Sequence, residues 1–200
     1  VNATELEDIY LPYKPKRKTK ASIAIEKGLE PLATILFAQQ DVNANEEAAK
    51  YITDQVKDNE EALQGARDIM AEWIAENETA RNAVRKIFTE SAIFSSRVLT
   101  TKKGEEDAQK YRDYFEFKEP LANCPSHRIM AIRRGEKEGF LIMDINIEKE
   151  SSIDELKRKF ITVHNEASQQ VGLAIEDSFS RLLKPSIETE FRILSKTKAD

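Results

Sequence analysis

The amino-acid sequence predicts a mainly α-helical protein, a multi-helix assembly with helix-turn-helix-like elements and at most a small two-stranded β element. Leu, Ala, Glu, Lys, Ile and Arg dominate the composition, and most of them favour helix. Gly and Pro number six each, so turn signals are too sparse for a sandwich or barrel. Ala62, Ala66, Met70 and Ile74 recur every four residues, as the buried face of a long helix requires.

Local signals then place the helices along the chain. Thr19 can cap a helix that ends at Gly28, because its hydroxyl accepts an early N–H and glycine suits the turn that follows. Pro31 suits a first helical turn, and Asn45 can cap the next helix. The predicted helices are residues 20–27, 31–39, 46–56, 59–76, 78–94, 107–115, 126–134, 152–163, 167–183, and a last one from 185 onward.

The predicted β-structure is confined to two short stretches. Residues 140–147 are rich in β-favouring side chains and form the best strand candidate. A strand needs a partner, and residues 98–101 are the only plausible one. Two helix boundaries beside these strands are also predicted: Gly135 closes the helix before it, and Ser152 with Glu155 forms a capping box that opens the helix after it.

Composition limits the class of protein. Two hundred residues with 40% apolar side chains can bury a real core in one or two domains. No apolar run could span a membrane and no leader is visible, so we expect a cytoplasmic protein without a membrane partner. The single cysteine, Cys124, excludes an internal disulfide and is expected to be buried. Because the sequence starts at Val1 and ends inside a predicted helix, we expect a fragment of a longer protein.

Charge is unevenly distributed. Between Lys14 and Lys20 the sequence has five basic residues and no acidic one. The rest of the chain has 26 basic residues against 36 acidic ones, a balance of −10. Those five cations form a basic segment without any carboxylate, and a local field of this kind usually has an anionic partner. The segment could also pair with acidic helices of the whole protein, and we favour this alternative because the rest of the chain repels a polyanion. The candidate nucleic-acid-binding residues are Lys14, Lys16, Arg17, Lys18 and Lys20, with Tyr13 able to stack on unpaired bases.

A second basic group lies on the helix predicted for residues 126–134. Arg128, Arg133 and Arg134 are candidates for a phosphate-binding patch, and pairing with carboxylates is an equal alternative. Ser126 beside His127 is not predicted to be a catalytic pair, since adjacent residues on a helix do not face each other. We interpret Ser126 as an N-cap instead.

No pattern predicts a metal, a cofactor or an enzyme. His164 has no second histidine at helical spacing, which a zinc site of the zincin type requires. Acidic residues are abundant but spread over predicted helix surfaces, whereas a two-metal nuclease needs carboxylates that converge. No glycine-rich loop could cradle phosphates.

Six groups of residues, in order and at matching spacing, resemble the bacterial Tex family of transcription accessory proteins. They are ELEDIYLPYKPKR at 5–17, GLEPLA at 28–33, GARDI at 65–69, YRDYF at 111–115, PSHR at 125–128 with RGE at 134–136, and RLLKPS at 181–186. The resemblance implies a cytoplasmic multidomain protein tied to transcription and nucleic acid. In that family a helical amino-terminal region precedes resolvase-like, helix-hairpin-helix and OB-fold domains. Residues 1–200 match the helical region alone.

The resemblance and the residues together predict a non-enzymatic amino-terminal module with a scaffold role. The full-length protein would bind nucleic acid, RNA or DNA, mainly through the domains absent here, and the module would contact those domains. Two alternatives stay open. One is direct nucleic-acid binding through the basic segment and the arginine helix, and the other is docking of the transcription machinery on acidic helices.

Overall fold

The computed structural model describes residues 17–199, with side chains described through residue 196. In this range, nine α-helices accompany one three-stranded antiparallel sheet, so the mainly α class is confirmed. The helices are α1 (Lys20–Glu26), α2 (Glu30–Phe37), α3 (Ala44–Ala49), α4 (Asn59–Glu76), α5 (Glu78–Ser91), α6 (Ser126–Lys137), α7 (Lys149–Phe160), α8 (Glu166–Asp177) and α9 (Lys184–Ala199). The strands are β1 (Ile93–Val98), β2 (Glu116–Pro120) and β3 (Leu141–Asn146). No helix within residues 17–199 is long and apolar enough to cross a membrane.

Helix α4 is the centre of the amino-terminal helical layer and contacts α1, α2, α3 and α8. Its predicted stripe is buried, and Asp58 caps it by accepting the Glu61 N–H at 2.8 Å. Gly65 lets α2 approach closely, because a Cβ there would overlap the Leu29 side chain. The large apolar face predicted from periodicity therefore becomes the core of this layer.

Side-chain caps define several helix starts. Thr19 caps α1, as predicted, and Asn77 caps α5, each accepting a backbone N–H three residues on. Asn43 rather than Asn45 caps α3, so that helix begins earlier and ends at Ala49. Gly28 ends α1 with a φ of 83°, a left-handed conformation that glycine adopts without strain. The helix-turn-helix character predicted for some helix pairs stays a prediction.

The sheet differs from the predicted β element in two ways. It has three strands, in the order β2-β1-β3, instead of the predicted two. The additional strand is β2, a polar segment that carries no strand signal in the sequence. The partner of β3 is residues 93–98 rather than 98–101, although Val98 does pair with Leu141. Helix α5 consequently ends at Ser91, three residues before its predicted end. The helix predicted at residues 107–115 is a 3-10 helix at Glu106–Tyr114, which packs beside β1 and β2.

Two predicted boundaries around β3 are wrong. Helix α6 continues through Gly135 and ends at Lys137. Gly135 is buried within the helix, and a Cβ there would lie 2.5 Å from Leu141 Cδ1, so the glycine allows close packing instead of ending the helix. Gly139, with a φ of 85°, follows the helix instead. Helix α7 begins at Lys149 and is capped by Glu148, while the Ser152 hydroxyl donates to the Glu148 carbonyl.

Helices α8 and α9 are joined by a π-helical turn at Ser178–Leu183. Pro185 has no N–H and cannot donate to the Arg181 carbonyl, which accounts for a departure from α geometry at this point. The Ser178 hydroxyl donates to the Ala71 carbonyl at 2.7 Å and ties the turn to α4. Helix α9 then packs against α5, α6 and β3, so it joins the helical layer to the sheet.

Candidate functional site

The described part of the basic segment lies at the start of α1. Arg17, Lys18 and Lys20 are exposed and form no ion pair with any residue in the range 17–199, whereas Tyr13, Lys14 and Lys16 lie outside the described residues. Thr19 caps α1 and its hydroxyl also donates to Glu72 Oε2 at 3.0 Å. The described end of the segment therefore lies beside a carboxylate of α4.

The three candidate arginines of α6 have different surroundings. Arg128 Nη1 lies 2.9 Å from Glu119 Oε2 of β2. Arg133 Nη1 donates to the backbone carbonyl and the hydroxyl of two α9 residues, at 3.2 Å each, and Arg134 is exposed. Residues 128, 133 and 134 are separated by about 140° and about 100° around the helix, so the structure does not bring them together.

The other singled-out side chains form no catalytic arrangement in the described chain. Ser126 and His127 are exposed, and Pro125 rather than Ser126 precedes α6 as its N-cap. Cys124 is buried, as predicted. His164 is exposed on the connection between α7 and α8. Among residues 17–199, no three His, Cys, Asp or Glu side chains are placed to hold one metal ion.

A groove of about 730 Å³ opens between α5, α7 and the sheet face turned away from α6, and we call it the sheet groove. A row of three paired residues, Lys118, Ser95 and Asp144, crosses its floor from β2 to β3. The charged side chains of the lining are balanced: Lys86, Lys118, Arg158 and Lys159 are basic, and Glu90, Asp144, Glu148 and Glu155 are acidic. The remaining lining includes the aliphatic residues Ile87, Ile93 and Ile147.

Several of these charges are already engaged within α7. Glu155 accepts a hydrogen bond from Arg158 at 2.6 Å and lies 3.7 Å from Lys159, which together lower the pKa of its carboxyl. Both oxygens of Glu148 accept hydrogen bonds at the start of α7, from the Glu150 and Ser151 N–H groups. These bonds, with the Ser151 hydrogen bonds contributing most, lower the pKa of Glu148.

Two partly buried carboxylates of α9 have different neighbours. Glu190 accepts hydrogen bonds from Arg81 and Arg85 of α5, at distances between 2.8 and 3.1 Å. Glu188 faces the opposite way, towards Asp144 of β3. The sequence offered no signal for either arrangement, because Glu190 and its arginines are more than 100 residues apart.

At the edge of β3, side chains replace a fourth strand. Arg192 Nη2 donates to the Met143 carbonyl at 2.5 Å, and Glu136 Oε2 accepts the Met143 N–H at 3.2 Å. The two side chains lie 3.5 Å apart and form an ion pair across the strand edge. Such pairing satisfies backbone groups that an uncovered edge would expose.

Comparison with known proteins shows which sequence family this chain resembles. The family model described as Tex central region-like matches residues 39–193. YdcI of Bacillus subtilis is 38% identical over 205 residues, which covers 100% of this chain and 28% of that protein. The transcriptional accessory protein Tex of Neisseria gonorrhoeae is 43% identical over 140 residues, 70% of this chain and 18% of the relative.

A human relative, S1 RNA-binding domain-containing protein 1, is 31% identical over 205 residues. That match covers 94% of this chain and 20% of the relative. The chain therefore spans between 18% and 28% of the length of these three proteins.

Proposed function

The chain belongs to the Tex family, and from that premise we propose that it is a non-enzymatic interaction module of a cytoplasmic transcription accessory protein. In this proposal the module docks protein surfaces, including other domains of the same protein and the transcription machinery. Nucleic acid is contacted mainly by other parts of the protein. The assignment of residues 1–200 to the helical amino-terminal region of a longer protein stays a prediction.

The charge balance of the sheet groove carries the proposal. Four basic and four acidic side chains line it, so a polyanion would meet as many carboxylates as cations. Protein surfaces, in contrast, bring both signs of charge together with apolar side chains. Half-buried Ile87 and Ile93 supply the apolar contact that such an interface needs.

The names of two relatives support the nucleic-acid part of the proposal. One is a transcriptional accessory protein, and the other is named for an S1 RNA-binding domain. Because this chain spans at most 28% of these proteins, the RNA contact implied by the second name is placed outside residues 1–200 in the proposal.

Direct nucleic-acid binding by this chain is the second candidate function. The exposure of Arg17, Lys18 and Lys20, without ion pairs in the described range, favours it. These cations could contact phosphates without reading sequence, and the affinity would then depend steeply on salt.

Fluorescence anisotropy with labelled single-stranded RNA, single-stranded DNA and duplex DNA over a salt series separates the two functions. The interaction-module proposal expects no binding at low salt. Direct binding expects a log–log salt slope of about −2 to −4 for a single strand, or roughly three to five phosphate contacts. The variant K16E/R17E/K18E would abolish such binding.

A control variant with the same change in charge makes this test specific. Lys103, Lys137 and Lys149 are exposed and form no ion pair in the part of the chain that the structure describes. If K103E/K137E/K149E weakened binding as strongly as K16E/R17E/K18E, net charge rather than the basic segment would be responsible. Strong binding that only K16E/R17E/K18E removes would contradict the assignment of nucleic-acid contact to other regions.

A further inference from the structure

We propose that two copies of this chain associate through strand β2, so that their three-stranded sheets join into one continuous antiparallel sheet. The inference goes beyond the proposed docking role, because its partner is a second copy of the same chain. It follows from the backbone groups that β2 presents at its outer edge and from the order of its side chains.

The pairing of β2 with β1 determines which backbone groups of β2 face outward. The Leu121 N–H donates to the Ala92 carbonyl at 2.8 Å at one end of this ladder. Hydrogen-bonded and non-hydrogen-bonded pairs alternate in an antiparallel ladder, so residues 117 and 119 also bond to β1. Residues 116, 118 and 120 therefore direct their backbone groups away from the sheet.

The two edges of the sheet differ in how such groups are satisfied. At the β3 edge, the side chains of Arg192 and Glu136 bond the carbonyl and the N–H of Met143. At the β2 edge, the outward N–H and C=O groups of Glu116 and Lys118 form no hydrogen bond within residues 17–199, and both residues are exposed. An open strand edge of this kind is a template for pairing with another strand.

The side chains of β2 fit a second copy of the same strand. In an antiparallel pair with its two-fold axis at Phe117, Glu116 of each copy lies opposite Lys118 of the other copy. These opposed residues both face outward, so each pair exchanges both of its N–H···O bonds, and the axis creates the pair twice. The carboxylate and the ammonium group then meet on one face of the sheet. The ion pair that β2 forms within its own chain, between Glu119 and Arg128, uses the other face.

Neighbouring registers are unfavourable for stated reasons. An axis at Lys118 would bring the two lysines together and set Glu116 against Pro120, which has no N–H. An axis at Glu116 or at Glu119 would bring two carboxylates together. An axis between two residues would set an outward-facing residue against an inward-facing one, so the hydrogen bonds could not form. The sequence Glu-Phe-Lys is therefore complementary to itself in the register centred on Phe117.

Phe117 contributes an apolar contact at the axis. Its ring is half-buried and packs against Tyr114, with the ring centroids 5.6 Å apart. The pair at the axis is not hydrogen-bonded, which is the geometry that brings opposed side chains closest, and aromatic cross-strand pairs stabilise a sheet. Because the paired segment is short, we expect weak association, with a dissociation constant on the order of 100 µM.

Sedimentation equilibrium of the 200-residue chain at concentrations up to about 1 mM measures this association. The buffer needs physiological ionic strength, which screens the repulsion between two chains of net charge −5. E116K alone and K118E alone should each weaken the dimer by about tenfold or more, because like charges then face each other across the axis. An equimolar mixture of E116K and K118E should dimerise as the wild type does, because every opposed pair in the mixed dimer has opposite charges.

The matched control is K149E, which makes the same change in charge as K118E at an exposed residue at the start of α7. It should leave the dissociation constant unchanged, and circular dichroism melts check that each variant is folded. Hydrogen exchange identifies the surface. The amides of Glu116 and Lys118 should become protected as the concentration rises, whereas the Phe117 amide, which bonds to β1, should be protected at every concentration.

The proposal is overturned if the wild type stays monomeric at about 1 mM, and the β2 edge would then be left to a strand of a different protein. It is also overturned if the mixture of E116K and K118E associates no better than either variant alone, or if a dimer forms without protecting the Glu116 and Lys118 amides. None of these results changes the nucleic-acid titrations, so the proposed function and this inference fail separately.

Discussion

Two glutamates on different faces of helix α9 have environments that shift their pKa values in opposite directions. Glu188 and Glu190 are two positions apart and therefore point about 200° apart around the helix. Glu190 faces α5, where Arg81 and Arg85 hold its pKa below the ordinary value of 4.5, with the Arg85 hydrogen bond as the largest cause. On the other face, burial above all, together with Asp144, raises the pKa of Glu188 despite Lys184 and Arg192 nearby.

This difference teaches that the charge pattern of a helix does not reveal what each charge contributes. Both residues are glutamates near basic side chains in the sequence of α9. The α5 face supplies two guanidinium groups that hydrogen-bond the carboxylate, whereas the β3 face supplies another carboxylate and removes water. One glutamate consequently stabilises the fold when it is ionised, and the other costs stability when it is ionised.

The largest expected effect is the loss of Glu190. We expect E190A to lower the free energy of unfolding by about 1–2 kcal/mol, because two guanidinium groups lose a shared acceptor, with a discount for solvent screening. The three side chains are between 27% and 34% exposed, so water replaces part of the lost contacts. Urea denaturation at pH 7 measures the change. E188A is the control on the other face, and a loss of equal size there would remove the contrast between the faces.

A smaller effect is expected at the strand edge. R192M should destabilise the protein by about 1 kcal/mol, because the Met143 carbonyl loses a charged donor that is itself partly exposed. R192K keeps the charge but cannot form the same planar contact, so it should recover only part of the loss. Hydrogen exchange of the β3 amides measures the local consequence. Unchanged exchange in R192M would show that the ion pair with Glu136 does not protect this edge.

The smallest effect is a pH dependence of opposite sign for the two glutamates. Glu190 has a lowered pKa, so its stabilisation is present above the ordinary carboxyl range and is lost as pH falls through the pKa in the folded state. The wild type should therefore exceed E190Q in stability at neutral pH, and this advantage should shrink in acid. Glu188 has a raised pKa, so its ionisation costs stability as pH rises through that pKa. E188Q should gain on the wild type as pH rises.

Urea denaturation of the wild type, E188Q and E190Q at several pH values between 3 and 7 measures both trends. Because the two substitutions remove the same charge from the same helix, net charge cannot explain a difference in sign. If both variants gained or both lost stability as pH rises, the two environments would not differ as described.

Much of the helical layer could be predicted from the sequence. Thr19 caps its helix as predicted, and α4 and α5 begin at the predicted residues, directly after Asp58 and Asn77; the N–H that each cap accepts lies only three residues away. The periodic stripe of α4 is likewise a local property of one helix. The resemblance carried by six groups of residues also identified the family that the comparisons assign.

The sheet could be predicted only in part. The strand at residues 140–147 was found from its composition, but β2 is a charged segment whose position depends on pairing with β1. The start of β1 was assigned to a helix, because Phe94 gains its backbone partners from residues 119 and 145, far away in the sequence. A glycine at position 135 predicts a helix end, but the helix continues because Leu141 packs against Gly135, a contact that local sequence signals do not show.

The sequence by itself determined the helical class, the family and the starts of α1, α4 and α5, whereas the caps predicted at Asn45, Ser126 and Ser152 are not the ones in the structure. Tertiary structure alone decided the surroundings of the three α6 arginines, the opposite environments of Glu188 and Glu190, and which backbone groups β2 presents at the edge of the sheet. The physical reason is distance along the chain. A capping hydrogen bond forms within one helical turn. An ion pair or a groove, in contrast, involves side chains that are far apart in the sequence and become neighbours only when α5, α7, α9 and the sheet pack together.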